Sequence, residues 1–171
     1  EIAAIFSRDA VLAGSLEKLE KKRAKQAVDD DFLEDISRWR ESLAKNIALR
    51  NGRVTEEQIN NAVQRIINRT IFLRICEDRG IEPYGKLQEL ADKKENYEQL
   101  LKVFKKADER YDSALFKIGD EKEIKIDDAV LPDIISELYF PKSPYKFDAI
   151  SADILGKVYE QFLGKVIRLT T

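Results

Sequence analysis

The chain has 171 residues, of which 43% are hydrophobic and 36% charged, and its formal net charge is -2. This length allows one substantial core, the composition is typical of charge-rich helical proteins, and the net charge excludes a general attraction to nucleic acid. The absence of histidine and the presence of one cysteine, Cys76, exclude an internal disulfide and the common types of zinc site.

The apolar segments and the first residues indicate the cellular context. No apolar run approaches the roughly 20 residues of a membrane span, and the acidic start of the chain does not resemble a secretory signal. We therefore expect a cytoplasmic protein with no membrane partner. Because the chain begins at Glu1 and contains no methionine, we also expect a fragment of a longer polypeptide, folded as one helical domain over residues 1–171.

Residues 1–50 are predicted to form N-terminal helices. The first runs from Ala4 to Lys25 and ends in a basic cluster, which is either a solvated helix end or a surface that contacts DNA phosphates. The members of this cluster are Lys21, Lys22, Arg23 and Lys25. The run Asp29–Asp31 is expected to cap a second helix, which carries Trp39 on an apolar stripe and ends near Gly52.

A central helix is predicted over residues 54–80. Thr55 and Gln58 form a T-x-x-Q capping box, and Gly80 supplies a C-cap. Apolar residues between them occupy most of the circumference, so we expect neighbouring elements to surround this helix and make it the most buried one. The short turn before Thr55 predicts an antiparallel pair with the preceding helix, with Trp39 near the contact.

Three arginines of the central helix are candidates for defined roles. Arg74 lies in the apolar face, where an isolated charge is costly, so we expect an ion pair with Glu77 or Asp78 one turn away. Arg65 and Arg69 lie one turn apart on the least apolar side. They are expected either to contact DNA phosphates or to bind acidic side chains nearby.

Residues 81–150 are predicted to contain shorter elements. Helical spacing occurs around Leu87 and from Tyr97 to Tyr111. The segments Ala114–Ile118 and Lys122–Ile126 alternate in polarity, and they either pair as a small β-hairpin or lie extended on the helices.

A further helix and an irregular strap complete this region. Asp127 or Asp128 is expected to cap the helix, which continues to Leu138. The segment Phe140–Ile150 contains two prolines and three aromatic residues, which predicts a strap fixed to the core. Its expected anchors are Phe140, Tyr145 and Phe147.

A last helix is predicted over residues 151–167, with Ser151 as its cap. Its apolar residues cover about half of the circumference, so we expect part of that surface to pack on a neighbouring domain. The elements together predict an all-α fold, an irregular multi-helix bundle with a central buried helix and at most one short β-hairpin.

Two short motifs are similar to parts of enzyme active sites. Glu123-Ile-Lys125, with Asp120, matches half of a metal-dependent nuclease centre, and Ser143-Pro-Tyr145 is similar to the target-base loop of DNA amino-methyltransferases with one proline missing. We interpret the first as an exposed turn and the second as part of the strap. The sequence contains no P-loop and no G-x-G-x-x-G motif.

Four longer strings resemble a known family. They are FLEDISRWRESLAKNIALRN, NNAVQRIINRTIFLRICEDRGIEPYG, YDSALF and SPYKFDAISADILGKVYEQFLGK. They resemble the helical region that precedes the catalytic domain in large adenine-specific DNA methyltransferases, especially type IIG restriction-modification enzymes, which defend cells against foreign DNA. The most specific match is Asp153–Gly164, which is similar to the helix just before the cofactor loop of these enzymes.

The resemblance implies a role without catalysis. In the family a nuclease domain, which uses Mg²⁺, often lies upstream, and an S-adenosylmethionine-dependent methyltransferase lies downstream. No catalytic, cofactor-binding or metal-binding residue of the family falls on this sequence, so we expect a connector that positions the methyltransferase and contacts DNA through the parent chain. The alternative is a helical protein interaction scaffold unrelated to DNA.

Overall fold

A computed structural model describes residues 8–150 and 156, without the side chains of residues 8–16, 19 and 23–27. This part of the chain contains five α-helices, two short 3₁₀ helices and no strand, so the predicted all-α fold is confirmed. The α-helices are α1 (Arg8–Arg50), α2 (Glu56–Asp78), α3 (Lys86–Ala91), α4 (Asn96–Tyr111) and α5 (Val130–Ser136). The 3₁₀ helices are Ala114–Phe116 and Asp120–Glu123.

The prediction of two N-terminal helices was wrong, because one helix, α1, extends from Arg8 to Arg50. It continues through Asp29–Asp31 without a break, although these residues were expected to cap a new helix. Neither glycine nor proline lies between Ser15 and Arg50, and aspartate costs only a fraction of a kcal/mol within a helix. The chain divides into two compact units, Glu1–Asp35 and Ile36–Thr171, and α1 contributes residues to both.

Helix α2 is the centre of the second unit. Thr55 accepts a hydrogen bond from Gln58 N at 3.2 Å, and Gln58 Oε1 accepts one from Thr55 N at 2.9 Å, which completes the predicted capping box. Gly80 has a φ of 68° just beyond the other end, in the left-handed region that favours glycine. Thirteen residues of α2 are buried, against eight among the side chains of α1 that the structure describes and fewer in each later helix, as the apolar pattern predicted.

An apolar seam joins α1, α2 and α5. Trp39 and Leu43 of α1 line one small gap with Ile66, Ile67, Thr70 and Ile71 of α2. The gap is closed by Leu131, Ile134, Ile135 and Leu138. The short turn after Arg50 therefore brings α2 back against the end of α1, with Trp39 at the contact.

The alternating segments after α4 form no hairpin. Ile124, which follows the second 3₁₀ helix, is extended. The side-chain amide of Asn51 binds the next residue, Lys125: its Nδ2 donates to the carbonyl at 2.8 Å, and its Oδ1 accepts from the N–H at 2.9 Å. Asn46 Oδ1 accepts a hydrogen bond from Asp127 N at 3.0 Å. The side chains of Asn46 in α1 and of Asn51, which follows α1, thus supply hydrogen bonds that a partner strand would otherwise provide.

Two aspartates that were expected to cap α5 have other roles. Asp127 accepts hydrogen bonds from Asn46 and Arg50, both at 2.8 Å. Asp128 accepts from the backbone N–H groups of Glu95 and Asn96 and thereby caps α4, whose own flanking residue gives no side-chain cap. The prediction was wrong because it considered only the adjacent helix, whereas a cap can come from a segment that is remote in sequence.

Two of the three aromatic anchors predicted for the strap are confirmed, and the third is wrong. Tyr145 and Phe147 are buried, but Phe140 is 84% exposed. Tyr139, which precedes it, is 2% exposed and occupies the inner position. The helix predicted over residues 151–167 lies outside the described residues, apart from Gly156.

Candidate nucleic-acid interface

The basic cluster predicted near the end of the first helix lies within α1. Lys21 and Lys22 are exposed, and Lys21 Nζ lies 2.7 Å from Glu17 Oε1, an ion pair one turn long at the surface. Exposed pairs of this kind contribute little stability. The side chains of Arg23 and Lys25 are not among those that the structure describes, so the phosphate contacts of this cluster stay a prediction.

Arg69 is one of the two arginines of the central helix that were predicted as possible phosphate contacts, and it lies inside the fold. Its side chain is 1% exposed, and Nη1 donates to Glu121 Oε1 at 2.7 Å. Nε donates to the Leu115 carbonyl at 2.6 Å and Nη2 to the Lys117 carbonyl at 2.7 Å. Because every nitrogen of the guanidinium already has a partner inside the fold, Arg69 does not form part of a DNA-contacting surface, and the acid-binding alternative describes it correctly.

Arg65 binds the same carboxylate from the outside. Its Nη1 lies 2.8 Å from Glu121 Oε2, and about half of its side chain is exposed. It borders an open cleft of about 320 Å³. The charged residues that line this cleft are Arg53, Arg65, Asp120, Glu121 and Glu123. Acidic groups outnumber basic ones, so the cleft does not favour a phosphate.

Glu121 is the buried acid that joins these two arginines. Burial by itself would raise the pKa of its carboxyl, but hydrogen bonds from Arg69 and from backbone N–H groups outweigh burial and hold the pKa below its usual 4.5. The Glu121 carbonyl also accepts a hydrogen bond from Tyr97 Oη at 2.7 Å. Burial is the main reason that the pKa of Tyr97 is raised. We call Arg65, Arg69 and Glu121 the remote ion cluster, since the acid follows the arginines by more than 50 residues.

Arg74 forms a second buried cluster, with acids of its own helix. It is 3% exposed, its Nη1 contacts Asp78 Oδ1, and Glu77 Oε2 lies 3.9 Å away. Nε donates to the Leu138 carbonyl at 2.9 Å. Three aromatic rings surround the guanidinium, with centroids at 4.4 to 5.0 Å, and they belong to Tyr84, Tyr139 and Phe147. We call Arg74, Glu77 and Asp78 the local ion cluster.

The acids of the local ion cluster hold other segments to α2. Glu77 accepts hydrogen bonds from Gly85 N and Leu87 N, each at 3.0 Å, and from Tyr139 Oη at 2.6 Å. Burial and this bond to Glu77 raise the pKa of Tyr139. Asp78 Oδ2 accepts from Phe147 N at 3.0 Å. This cluster therefore fixes the start of α3 and the strap against α2.

The two motifs that are similar to active-site fragments have no matching geometry. Asp120 and Glu123 lie on a 3₁₀ helix, not on paired strands. No group of three or more potential metal ligands occurs among residues 8–150. Ser143 Oγ accepts a hydrogen bond from Tyr145 N at 3.3 Å, and both residues are buried, as the interpretation of a fixed strap requires.

Comparison with known proteins gives the relationship. The chain is 37% identical over 174 aligned residues to the type II restriction enzyme and methyltransferase RM.Eco57I of Escherichia coli, and the alignment includes 99% of the chain. The chain is a relative of one restriction-methyltransferase segment. It spans 17% of the length of that protein. No family model and no solved structure matches the chain.

This match confirms the resemblance that the four strings indicated. It does not assign a role to any single side chain, because the restriction and methyltransferase activities belong to a protein several times longer. Among the described residues, no helix has the length and apolarity needed to cross a membrane.

Proposed function

We propose that this chain is the helical connector of a cytoplasmic type IIG restriction-modification protein, and that it carries no catalytic centre. Its role is to hold an adenine-specific, S-adenosylmethionine-dependent DNA methyltransferase domain in a fixed position. The observation that carries this proposal is the similarity of 99% of the chain to one segment of a restriction enzyme and methyltransferase.

The internal polar contacts support a positioning role. The remote ion cluster holds the segment 115–121 against α2, and the local ion cluster holds α3 and the strap against the same helix. Both clusters use buried charges to fix irregular segments that have no sheet or long helix of their own. A connector needs such fixed geometry, because a small displacement of a catalytic domain from its substrate can lower a rate by about 100-fold.

Cofactors and partners belong to the longer polypeptide in this proposal. S-adenosylmethionine binds the methyltransferase domain, and Mg²⁺ binds a nuclease domain where the parent has one. The methyltransferase domain packs on residues 151–167, and DNA is bound through the parent chain. These assignments rest on the resemblance and on the similarity to a restriction enzyme and methyltransferase.

Calorimetry tests whether the chain itself holds the cofactor. We expect no heat of binding when S-adenosylmethionine is titrated into the 171-residue chain, since the sequence has no glycine-rich cofactor loop. A saturable isotherm would overturn the non-catalytic assignment.

A variant of the parent polypeptide tests positioning. Arg74→Ala removes the positive charge of the local ion cluster. We expect methyl transfer to duplex DNA to fall by up to about 100-fold, while the affinity for S-adenosylmethionine is unchanged. Arg79→Ala, an exposed arginine at the end of the same helix, is the matched control and should leave both quantities unchanged. Equal losses of cofactor binding and methyl transfer would contradict a connector.

A further inference from the structure

Helices α3 and α4 border an open groove of about 460 Å³ with an unbalanced charge. Five lysines and two glutamates line it, together with Gln99 and two apolar residues, Leu90 and Val103. The lysines are Lys86, Lys93, Lys102, Lys105 and Lys106, and the acids are Glu89 and Glu109. The net charge of -2 for the whole chain conceals this local excess of positive charge.

The fold directs these lysines away from the core. Helix α4 buries Leu100, Phe104 and Ala107 on one side, and Lys102, Lys105 and Lys106 are exposed on the other. Lys102 and Lys106 are four residues apart, which separates them by about 6 Å along the helix axis. The N-terminus of α4 is fixed by the cap from Asp128, so the lysines stand on a rigid support.

Most of these lysines have no acidic partner within the described part of the chain. Lys86 forms an ion pair with Glu82 at 3.1 Å. Among residues 8–150, no ion pair of Lys93, Lys102, Lys105 or Lys106 occurs within 4.0 Å. Glu98 and Lys102, and Lys105 and Glu109, have the four-residue spacing of helix ion pairs, but their charged groups do not approach within 4.0 Å, so the ammonium groups of the lysines remain available to an external anion.

We propose that the groove between α3 and α4 contacts the sugar-phosphate backbone of duplex DNA. This inference rests on the proposed function, from which the choice of DNA as the polyanion follows. Lysine ammonium groups meet phosphates as point charges, without the planar geometry of arginine. The groove therefore contributes affinity and register but does not read bases.

The groove fits DNA better than an acidic peptide. Peptide recognition depends on apolar anchor residues that fill pockets. The apolar residues of this groove are Leu90, which is 4% exposed, and Val103. They provide no pocket for an anchor, whereas the open shape and the excess of lysine suit a charged backbone.

Salt-dependent binding of a labelled duplex to the 171-residue chain tests the inference. We expect a dissociation constant in the non-specific range of about 10⁻⁴ to 10⁻⁶ M, and a linear fall of log K with log salt concentration between roughly 50 and 200 mM. The triple variant Lys102→Gln, Lys105→Gln, Lys106→Gln should reduce the steepness of that line by about 2 to 3, since each lost phosphate contact accounts for about 0.9.

A second triple variant gives the matched control. Lys122→Gln, Lys142→Gln and Lys146→Gln remove the same charge from exposed positions outside the groove, and we expect the slope of the wild type. Equal effects of the two triple variants would overturn the inference, as would an unchanged slope in the groove variant or no binding by the wild type at 50 mM salt. Tighter, groove-dependent binding of polyglutamate than of duplex would also overturn it, in favour of an acidic protein partner.

The basic cluster of α1 is tested by a separate variant. Neutralising Lys21, Lys22 and Arg23 tests that cluster, and its result does not alter the comparison of the two lysine triples. The inference about the groove can fail while the connector role stands, because the methyl-transfer test with Arg74→Ala does not involve these lysines.

Discussion

Helix α2 carries two buried arginines, Arg69 and Arg74, which are held in different ways. Arg69 is 1% exposed and Arg74 is 3% exposed. The carboxylates of Arg74 follow it by three and four residues on the same helix, whereas the carboxylate of Arg69 comes from a 3₁₀ helix 52 residues later. The buried charge of Arg74 is thus compensated by acids one turn away on the same helix, and that of Arg69 by an acid from a remote segment.

The difference determines what each cluster does for the fold. The local ion cluster would exist in any structure that keeps α2 helical, because the spacing of the helix creates it. The remote ion cluster exists only when the segment 115–121 is already docked, and Arg69 also binds two carbonyl oxygens of that segment. We therefore expect the remote ion cluster to be more important for the stability of the irregular part of the chain.

The largest expected effect is that of Arg69→Ala. It leaves Glu121 buried with the half-exposed Arg65 and backbone N–H groups as its remaining partners, and it removes the donors to the Leu115 and Lys117 carbonyls. We expect the free energy of unfolding to fall by about 4 kcal/mol, the range for breaking a buried pair. Urea unfolding followed by the emission of Trp39, the one tryptophan, measures this loss.

Arg65→Ala is the matched control, because it removes an arginine from the same carboxylate at an exposed position. We expect a loss below about 1 kcal/mol, since partly exposed pairs are screened by water. If the two variants lost equal stability, the buried contacts of Arg69 would have no special importance.

The next effect is that of Arg74→Ala, for which we expect a loss of roughly 3 kcal/mol. The loss is smaller because Arg74 donates to one backbone carbonyl, that of Leu138, whereas Arg69 donates to two. In addition, Glu77 keeps its bonds to two backbone N–H groups and to Tyr139, and Asp78 keeps its bond to Phe147 N. The same unfolding measurement applies, with Arg79→Ala as the control. A loss that exceeds that of Arg69→Ala would reverse the comparison of the two clusters.

The two clusters also show which features of the fold the sequence can predict. Thr55, Gln58 and Gly80 define α2 through contacts that span four residues or fewer, and they were predicted correctly, as was the nearby acid partner of Arg74. The pairing of Glu121 with Arg69, the cap from Asp128 to α4 and the bonds of Asn51 to Lys125 join residues far apart in the chain. No local pattern contains these contacts, because only the folded chain creates them.

The candidate interface follows the same rule. The lysines near the end of the first predicted helix formed a visible run, whereas those of the groove come from α3, α4 and the turn between them. A signal was present in the sequence: Lys102, Lys105 and Lys106 share one face of a helix whose other face is apolar. Their meeting with Lys93 across a groove depends on how α3 packs on α4, which the sequence alone does not reveal.

Glu121 is expected to make the stability of the remote ion cluster depend on pH. Its pKa in the folded protein lies below the usual 4.5, so its contribution to stability is present above that pH and is lost as the pH falls through the folded pKa. Glu121→Gln removes this contribution. We expect the gap in unfolding free energy between wild type and variant to be widest above about pH 5 and to shrink as the pH is lowered.

Urea unfolding at a series of pH values from neutral to acidic measures that gap. Glu137→Gln is a useful reference, because the pKa of Glu137 is also lowered, by hydrogen bonds from Arg38 and Trp39, but its partners lie on α1 and not in the remote ion cluster. If the Glu121→Gln gap were constant across the pH range, the carboxylate charge would not be what stabilises the cluster.

The smallest expected effect tests how closely the remote ion cluster is packed. A Cβ atom at Gly119 would lie 2.3 Å from Arg65 Nη1 and 3.1 Å from Glu121 Oε2, so Gly119→Ala must displace the Arg65 side chain from the carboxylate. Arg69 would keep its own bonds to Glu121 and to the segment 115–121. Because the displaced arginine is half-exposed, we expect a loss below about 1 kcal/mol, similar to that of Arg65→Ala.

In the double variant Gly119→Ala, Arg65→Ala the two losses should not add, since both remove the same contact. Additive losses in unfolding by urea would show that Gly119 acts on the cluster through Arg69 or the backbone, and that its two arginines are not separable.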